Sequence, residues 1–206
     1  LNNGTFAAGA TLSATVNPDD SGWDVEDEEG DDVEDGDKSG SASSDAHAFY
    51  GDGINVVFVA ATETDTSVDS TNNDYVTLTI EFDVTAFGED AYVDKTVLKT
   101  AVSNDGTAVD IEDSAGNNIA VGSSTVTISS TADEQTNTYL VDEGETESFT
   151  IRVVTSNDAS ATLDNKDIRA ILTGIGFSTT DTATEDQTYT SNLTTDFKTD
   201  YGHIAD

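Results

Sequence analysis

Tyr75-Val76-Thr77-Leu78-Thr79-Ile80-Glu81-Phe82-Asp83-Val84-Thr85-Ala86 decides the fold. Val76, Leu78, Ile80, Phe82, Val84 and Ala86 share one parity, and Tyr75, Thr77, Thr79, Glu81, Asp83 and Thr85 share the other. A repeat of two belongs to an extended strand, whose successive side chains face opposite sides. One face of this segment therefore enters a core while the other meets water. β-Branched and aromatic residues on the apolar face suit a pleated sheet rather than a helix.

The same pattern extends in both directions along the chain. Shorter candidate strands lie at Ile54–Ala61, Tyr92–Val102, Ser124–Ser129, Thr138–Val141, Phe149–Thr155, Ile168–Phe177 and Tyr201–Ile204. Turn formers separate them, among them Asp52-Gly53, Asn104-Asp105-Gly106, Ala115-Gly116-Asn117-Asn118 and Glu143-Gly144. No stretch carries a sustained helical stripe. About eight to ten strands at this spacing predict an all-β chain, an antiparallel β-sandwich or jelly-roll-like single domain. The expected organisation is an N-terminal extended strand over 1–18, an acidic loop or insertion over 19–44, and the sandwich core over 45–206.

The 206 residues carry 42 Asp and Glu against 7 Lys and Arg, a net charge of −35, with no Cys and no Met. So few cations leave no basic stripe for a phosphate backbone, which excludes nucleic acid. Polybasic contact with anionic lipid is excluded on the same ground, and no apolar run is long enough for a membrane-spanning helix. Lack of cysteine removes disulfides, thiolate metal sites and a Cys nucleophile. Ser and Thr make up about a quarter of the chain, which suits strand faces and turns. The profile predicts a secreted, cell-surface protein, with Leu1 expected to be a processed terminus.

A second alternating segment lies at the N-terminus. Phe6, Ala8, Ala10, Leu12, Ala14 and Val16 share one face, and Pro18 ends the run. Thirteen extended residues over 5–17 span about 40 Å at roughly 3.3 Å each, longer than a common strand. Such a strand either opens its own sandwich or acts as a donor that completes the sheet of a neighbouring copy. In the second case the head-to-tail contact does not close and builds a filament.

Asn3-Gly4-Thr5-Phe6-Ala7-Ala8-Gly9-Ala10-Thr11-Leu12 resembles the mature N-terminus of TasA/camelysin-type fibre subunits, departing by an extra Ala10 before Thr11-Leu12. The resemblance implies a secreted jelly-roll subunit that polymerises by donor-strand exchange. Tyr75–Asp94, Val141–Thr150 and Asp196–Tyr201 resemble surface-protein ectodomains of candidate-phylum bacteria. That likeness implies a β-sandwich displayed outside the cell and carries no catalytic residue.

Clustered carboxylates call for hard cations. Asp35-Gly36-Asp37-Lys38-Ser39-Gly40 matches the first half of a calcium loop, but the twelfth position is Ala46 rather than Glu. The candidate Ca²⁺ ligands are Asp31, Asp32, Asp35, Asp37, Ser39 and Asp45, with diffuse cation screening as the alternative. Asp110, Glu112 and Asp113 form a smaller acidic group that reads as a turn. Asn3-Gly4-Thr5 and Asn192-Leu193-Thr194 have the form of N-glycosylation acceptors. His47 and His203 lie far apart with no recognisable partner, and neither a nucleophile elbow nor a zinc-ligand pair is present. No catalytic residue is therefore assigned. The sequence supports a filament subunit whose partners are copies of itself. A non-polymerising surface or adhesion domain with a Ca²⁺-binding acidic loop is the alternative, and a secreted hydrolase the remote one.

Overall fold

A computed structural model describes residues 10–16, 24–45, 47–49, 52–67, 74–98, 106–119, 124–156, 163, 165–182 and 187–205. The chain divides into two compact units, Leu1–Gly51 and Asp52–Asp206. This division falls later than the boundary drawn from the acidic run at 44/45.

The first unit holds four short strands, β1 (Ala10–Leu12), β2 (Thr15–Val16), β3 (Ala42–Ser43) and β4 (His47–Phe49). β1 pairs antiparallel with β4 and β2 with β3, so residues 10–16 run against residues 42–49. The expected unbroken strand is interrupted at Ser13 and Ala14. There Ala14 N–H donates to Ser44 Oγ at 3.0 Å, and Ser44 N–H returns a bond to the Ala14 carbonyl at 2.8 Å.

The second unit is an all-β sandwich. Its strands are β5 (Gly53–Thr66), β6 (Tyr75–Phe87), β7 (Ala91–Asp94), β8 (Val97–Leu98), β9 (Thr107–Asp113) and β10 (Ser124–Ser130). They continue with β11 (Asp133–Glu134), β12 (Thr138–Val141), β13 (Thr146–Ser156), β14 (Lys166–Ser178) and β15 (Gln187–Tyr189). A single helical turn, α1 (Leu193–Asp196), and β16 (Gly202–Ile204) end the unit. One sheet has the order β10-β13-β6-β5, entirely antiparallel. The other runs β11-β12-β7-β14-β9-β8, with β15 and β16 also on β14 and only β8–β9 parallel.

The alternation of β6 holds over its whole length. Val76, Leu78, Ile80, Phe82, Val84 and Ala86 are fully buried. Register places Phe149 opposite Phe82, Ile151 opposite Ile80 and Val153 opposite Leu78, so neighbouring core rows meet side by side. The Phe82 and Phe149 rings stack with centroids 5.7 Å apart and planes at 11°. Val109 and Ile111 of β9 and Ile168, Ala170 and Leu172 of β14 join them in one core cluster.

Asp110, Glu112 and Asp113, read as a turn, belong to β9. Val109 and Ile111, on either side of Asp110, point inward, and only Asp113 opens a turn: its carboxylate accepts the N–H groups of Ala115 and Asn117 at 3.0 and 2.9 Å.

Candidate functional site: an amino-terminal ribbon and an open sheet edge

In the N-terminal ribbon, Ala10 stands opposite Phe49 and Leu12 opposite His47, while Thr15 faces Ser43 and Val16 faces Ala42. Ala14 is exposed and Val16 is 42 % exposed. Phe6 and Ala8, the remaining donor-strand candidates with Ala10, Leu12, Ala14 and Val16, lie outside the described residues.

The acidic segment contains a small hairpin. Glu26 and Asp32 form an antiparallel bridge, Val33 N–H donates to the Val25 carbonyl at 2.8 Å, and Gly30 takes φ +84° at the turn. The left-handed backbone there favours glycine, which has no Cβ to clash. Asp27 Oδ1 accepts the N–H groups of Glu29 and Asp31 at 3.0 and 2.9 Å, so this carboxylate closes the turn itself. Asp31 and Asp32 lie on the returning side of that hairpin, Asp35–Asp37 forms a 3-10 turn, and Ser39 and Asp45 are exposed along the way to β3 and beyond it. Among the described residues no three His, Asp or Glu side chains come together as a metal-binding group.

The sandwich presents a different feature at β5, the edge strand of its sheet. Ile54, Val56 and Phe58 lie opposite Ala86, Val84 and Phe82 of β6 and point to the core. A bulge between Phe58 and Ala60 leaves Val59 without a cross-strand partner. Bulges bend and twist the strand that holds them and re-aim its side chains. Val57, Phe58 and Val59 are 51, 38 and 50 % exposed, an unbroken apolar run on a sheet edge. Phe58 touches Phe197 edge-on, with centroids 5.5 Å apart.

Beyond the bulge the edge changes character. Glu63 and Asp65 take the register positions opposite Leu78 and Val76 on the core side, yet remain exposed. Charges on the inward side of an edge strand discourage further pairing. β16 approaches here: His203 N–H donates to Asp65 Oδ1 at 3.0 Å, and a Cβ on Gly202 would lie 2.7 Å from Val76 Cγ1.

Polar features elsewhere serve the scaffold. His203 Nδ1 lies 2.8 Å from Asp167 Oδ1, a partner that the separation of these residues in sequence concealed. Both side chains are about half exposed, and no nucleophile joins them among the bonds they make. Arg169 pairs with Glu112 and lies over the Tyr201 ring, 4.7 Å from its centroid. Lys95 bonds Glu134 at 2.9 Å and sits 5.3 Å from the centre of the Tyr139 ring. Asn192 is exposed with φ +57°, and its carbonyl accepts the N–H groups of Thr195 and Asp196; the neighbouring Leu193 is fully buried. Asn3 lies outside the described residues. No helix among the described residues is long and apolar enough to cross a membrane.

Comparison with protein-family models, curated proteins and solved structures gave no match.

Proposed function

We propose that this chain is a structural subunit of an extracellular filament, joined head to tail by donation of its N-terminal strand. One observation carries the reading: residues 53–204 supply every strand of both large sheets, while residues 10–16 pair only with residues 42–49 among the described residues. A sandwich with its own continuous core does not need the N-terminal strand to complete it, so that strand can pass to another copy once it leaves its short ribbon with residues 42–49. Its alternating Phe6, Ala8, Ala10, Leu12, Ala14 and Val16 supply the side chains of an added strand, and main-chain bonds supply affinity. Extracellular location follows the Cys-free, Met-free, acidic composition. Cations gathered by the acidic loop, calcium among them, and glycans on exposed Asn192 belong to the same reading.

Sedimentation and electron microscopy of the full chain, beside a variant lacking residues 1–17, test it. The full chain is expected to form filaments, and the shortened one to stay a folded monomer with an unchanged core. A full chain that remains monomeric in low and high salt, with and without calcium, overturns the proposal. So does a shortened chain that still polymerises.

A further inference from the structure

We infer that the acceptor for the donated strand is the outer edge of β5 over Ile54–Thr62, and that its occupant is residues 5–16 of a second copy of this chain. This rests on the filament reading and specifies where in the sandwich the contact forms.

The edges of the two sheets differ sharply. β11 and β8 are two residues each, and β11 is Asp133-Glu134. β10 is longer, but its exposed side chains are Thr125, Thr127 and Ser129. β5 has 14 residues, and among the described strands its main-chain ladder is with β6 alone. A long edge with apolar side chains is a template for another strand, and stable proteins cover or charge such edges. The half of β5 from Glu63 onward is charged and closed by β16 through Asp65; the half containing Val57, Phe58 and Val59 has neither a charge nor a covering strand, and the bulge at Val59 is its one interruption.

Charge selects the occupant. Two copies each bearing −35 repel over most of their surfaces. Residues 53–62 contain no charged side chain, bracketed by Asp52 and Glu63, and residues 1–18 contain none either. An uncharged strand laid on an uncharged edge brings the copies together without burying a carboxylate, which would be costly. Lengths agree as well. Twelve residues of donor extend about 40 Å, and the ten uncharged residues of β5 about 33 Å, at roughly 3.3 Å per residue. Small Ala8, Ala10 and Ala14 let the donor backbone come close, while Phe6, Leu12 and Val16, which share one face of the donor, provide apolar area on the face of β5 that carries Val57.

Because the chain has no cysteine, engineered pairs report the contact directly. Full-length variants carry Val57→Cys together with one cysteine placed in turn at each of residues 8–14, and a parallel set carries Thr127→Cys on the β10 edge. After assembly and mild oxidation, the Val57→Cys set is expected to give a ladder of covalent multimers on denaturing gels, strongest at alternate donor positions. The Thr127→Cys set is expected to give none. A ladder from Thr127→Cys alone, or filaments without a ladder in either set, keeps the filament and overturns the β5 acceptor. Closed monomers from Val57→Cys place the strand on its own sandwich and overturn exchange between copies. Absence of filaments in the unmodified protein is the separate failure of the filament reading.

Discussion

Asp65 Oδ1 accepts the backbone N–H of His203 at 3.0 Å, and beside it the Cα of Gly202 lies so close to Val76 that a Cβ would stand 2.7 Å from Cγ1. The last strand is thereby fastened to the edge strand of the opposite sheet. Gly202→Ala is expected to cost about 1–3 kcal/mol through overpacking against the Val76 side chain of β6 and the Asp65 carboxylate of β5. Asp65→Ala should cost about 1–2 kcal/mol, and Asp65→Asn, which keeps an acceptor oxygen, distinctly less. Urea denaturation of the three variants checks this ordering.

The stacked pair Phe82–Phe149 lies at the centre of the sandwich, with both rings essentially buried. Phe82→Ala is expected to lose about 3–5 kcal/mol, and Phe149→Leu less because much of the volume is retained. Val57→Thr, on an exposed edge, should change stability by no more than about 0.5 kcal/mol. Chemical denaturation that found Val57→Thr as damaging as Phe82→Ala would contradict the placement of the core.

Asp113 reports the pH response of the β9 turn. Its carboxyl is held below the ordinary carboxylate range, first by the Asn117 backbone N–H, then by the Asn117 side-chain amide. A depressed folded pKa contributes stability above the unfolded value, and that contribution disappears as pH falls through the folded one. Asp113→Ala is therefore expected to lower the melting temperature at neutral pH, with the gap from the unsubstituted protein closing in strong acid. Melts across an acid series measure it; a gap that widens in acid has the wrong sign.

Salt acts on the chain as a whole. With 42 acids against 7 basic residues, self-repulsion destabilises the compact state. Raising NaCl from about 0.01 to about 1 M shortens the screening length from about 30 to about 3 Å. The melting temperature should rise steadily over that range. A flat response in calorimetry would mean that the carboxylates are spaced widely enough to ignore one another.

The sequence pattern was most readable where one face is wet and the other dry. β6 and β12 lie within a residue of their expected ends, because Thr and acid alternate with core residues along β6 and Thr138–Val141 is bounded by turns. β9 is hidden in the sequence because Asp110, Glu112 and Asp113 crowd around Ile111 and mask its alternation with Val109. Over residues 92–98 the expected strand Tyr92–Val102 divides into β7 and β8 where the buried Asp94 carboxylate takes the Thr96 N–H at 2.6 Å, and residues 99–102 lie outside the described residues. The N-terminal segment was legible as an alternating run, but its partner residues 42–49 were not, since short Ala-Ser and His-Ala-Phe pieces carry no period. The exposed edge was hidden for another reason. Val56–Ala61 is uninterruptedly apolar, and only the register against β6, with Val57 opposite Asp83, and the position of β5 at the edge of its sheet show that Val57 and Val59 are exposed.

The scarcity of basic residues has a consequence for proteolysis. Proteases that cut after Lys or Arg find only seven positions in 206 residues. Lys95 is engaged by Glu134 and Tyr139, and Arg169 by Glu112 and Tyr201 within a central strand. Lys38 is the first basic residue of the chain and lies in the segment joining β2 to β3. A single cut there would leave the sandwich whole while severing it from the strand by which it is proposed to hold its neighbour. Digestion at one peptide bond would thus uncouple the links of the proposed polymer without unfolding them.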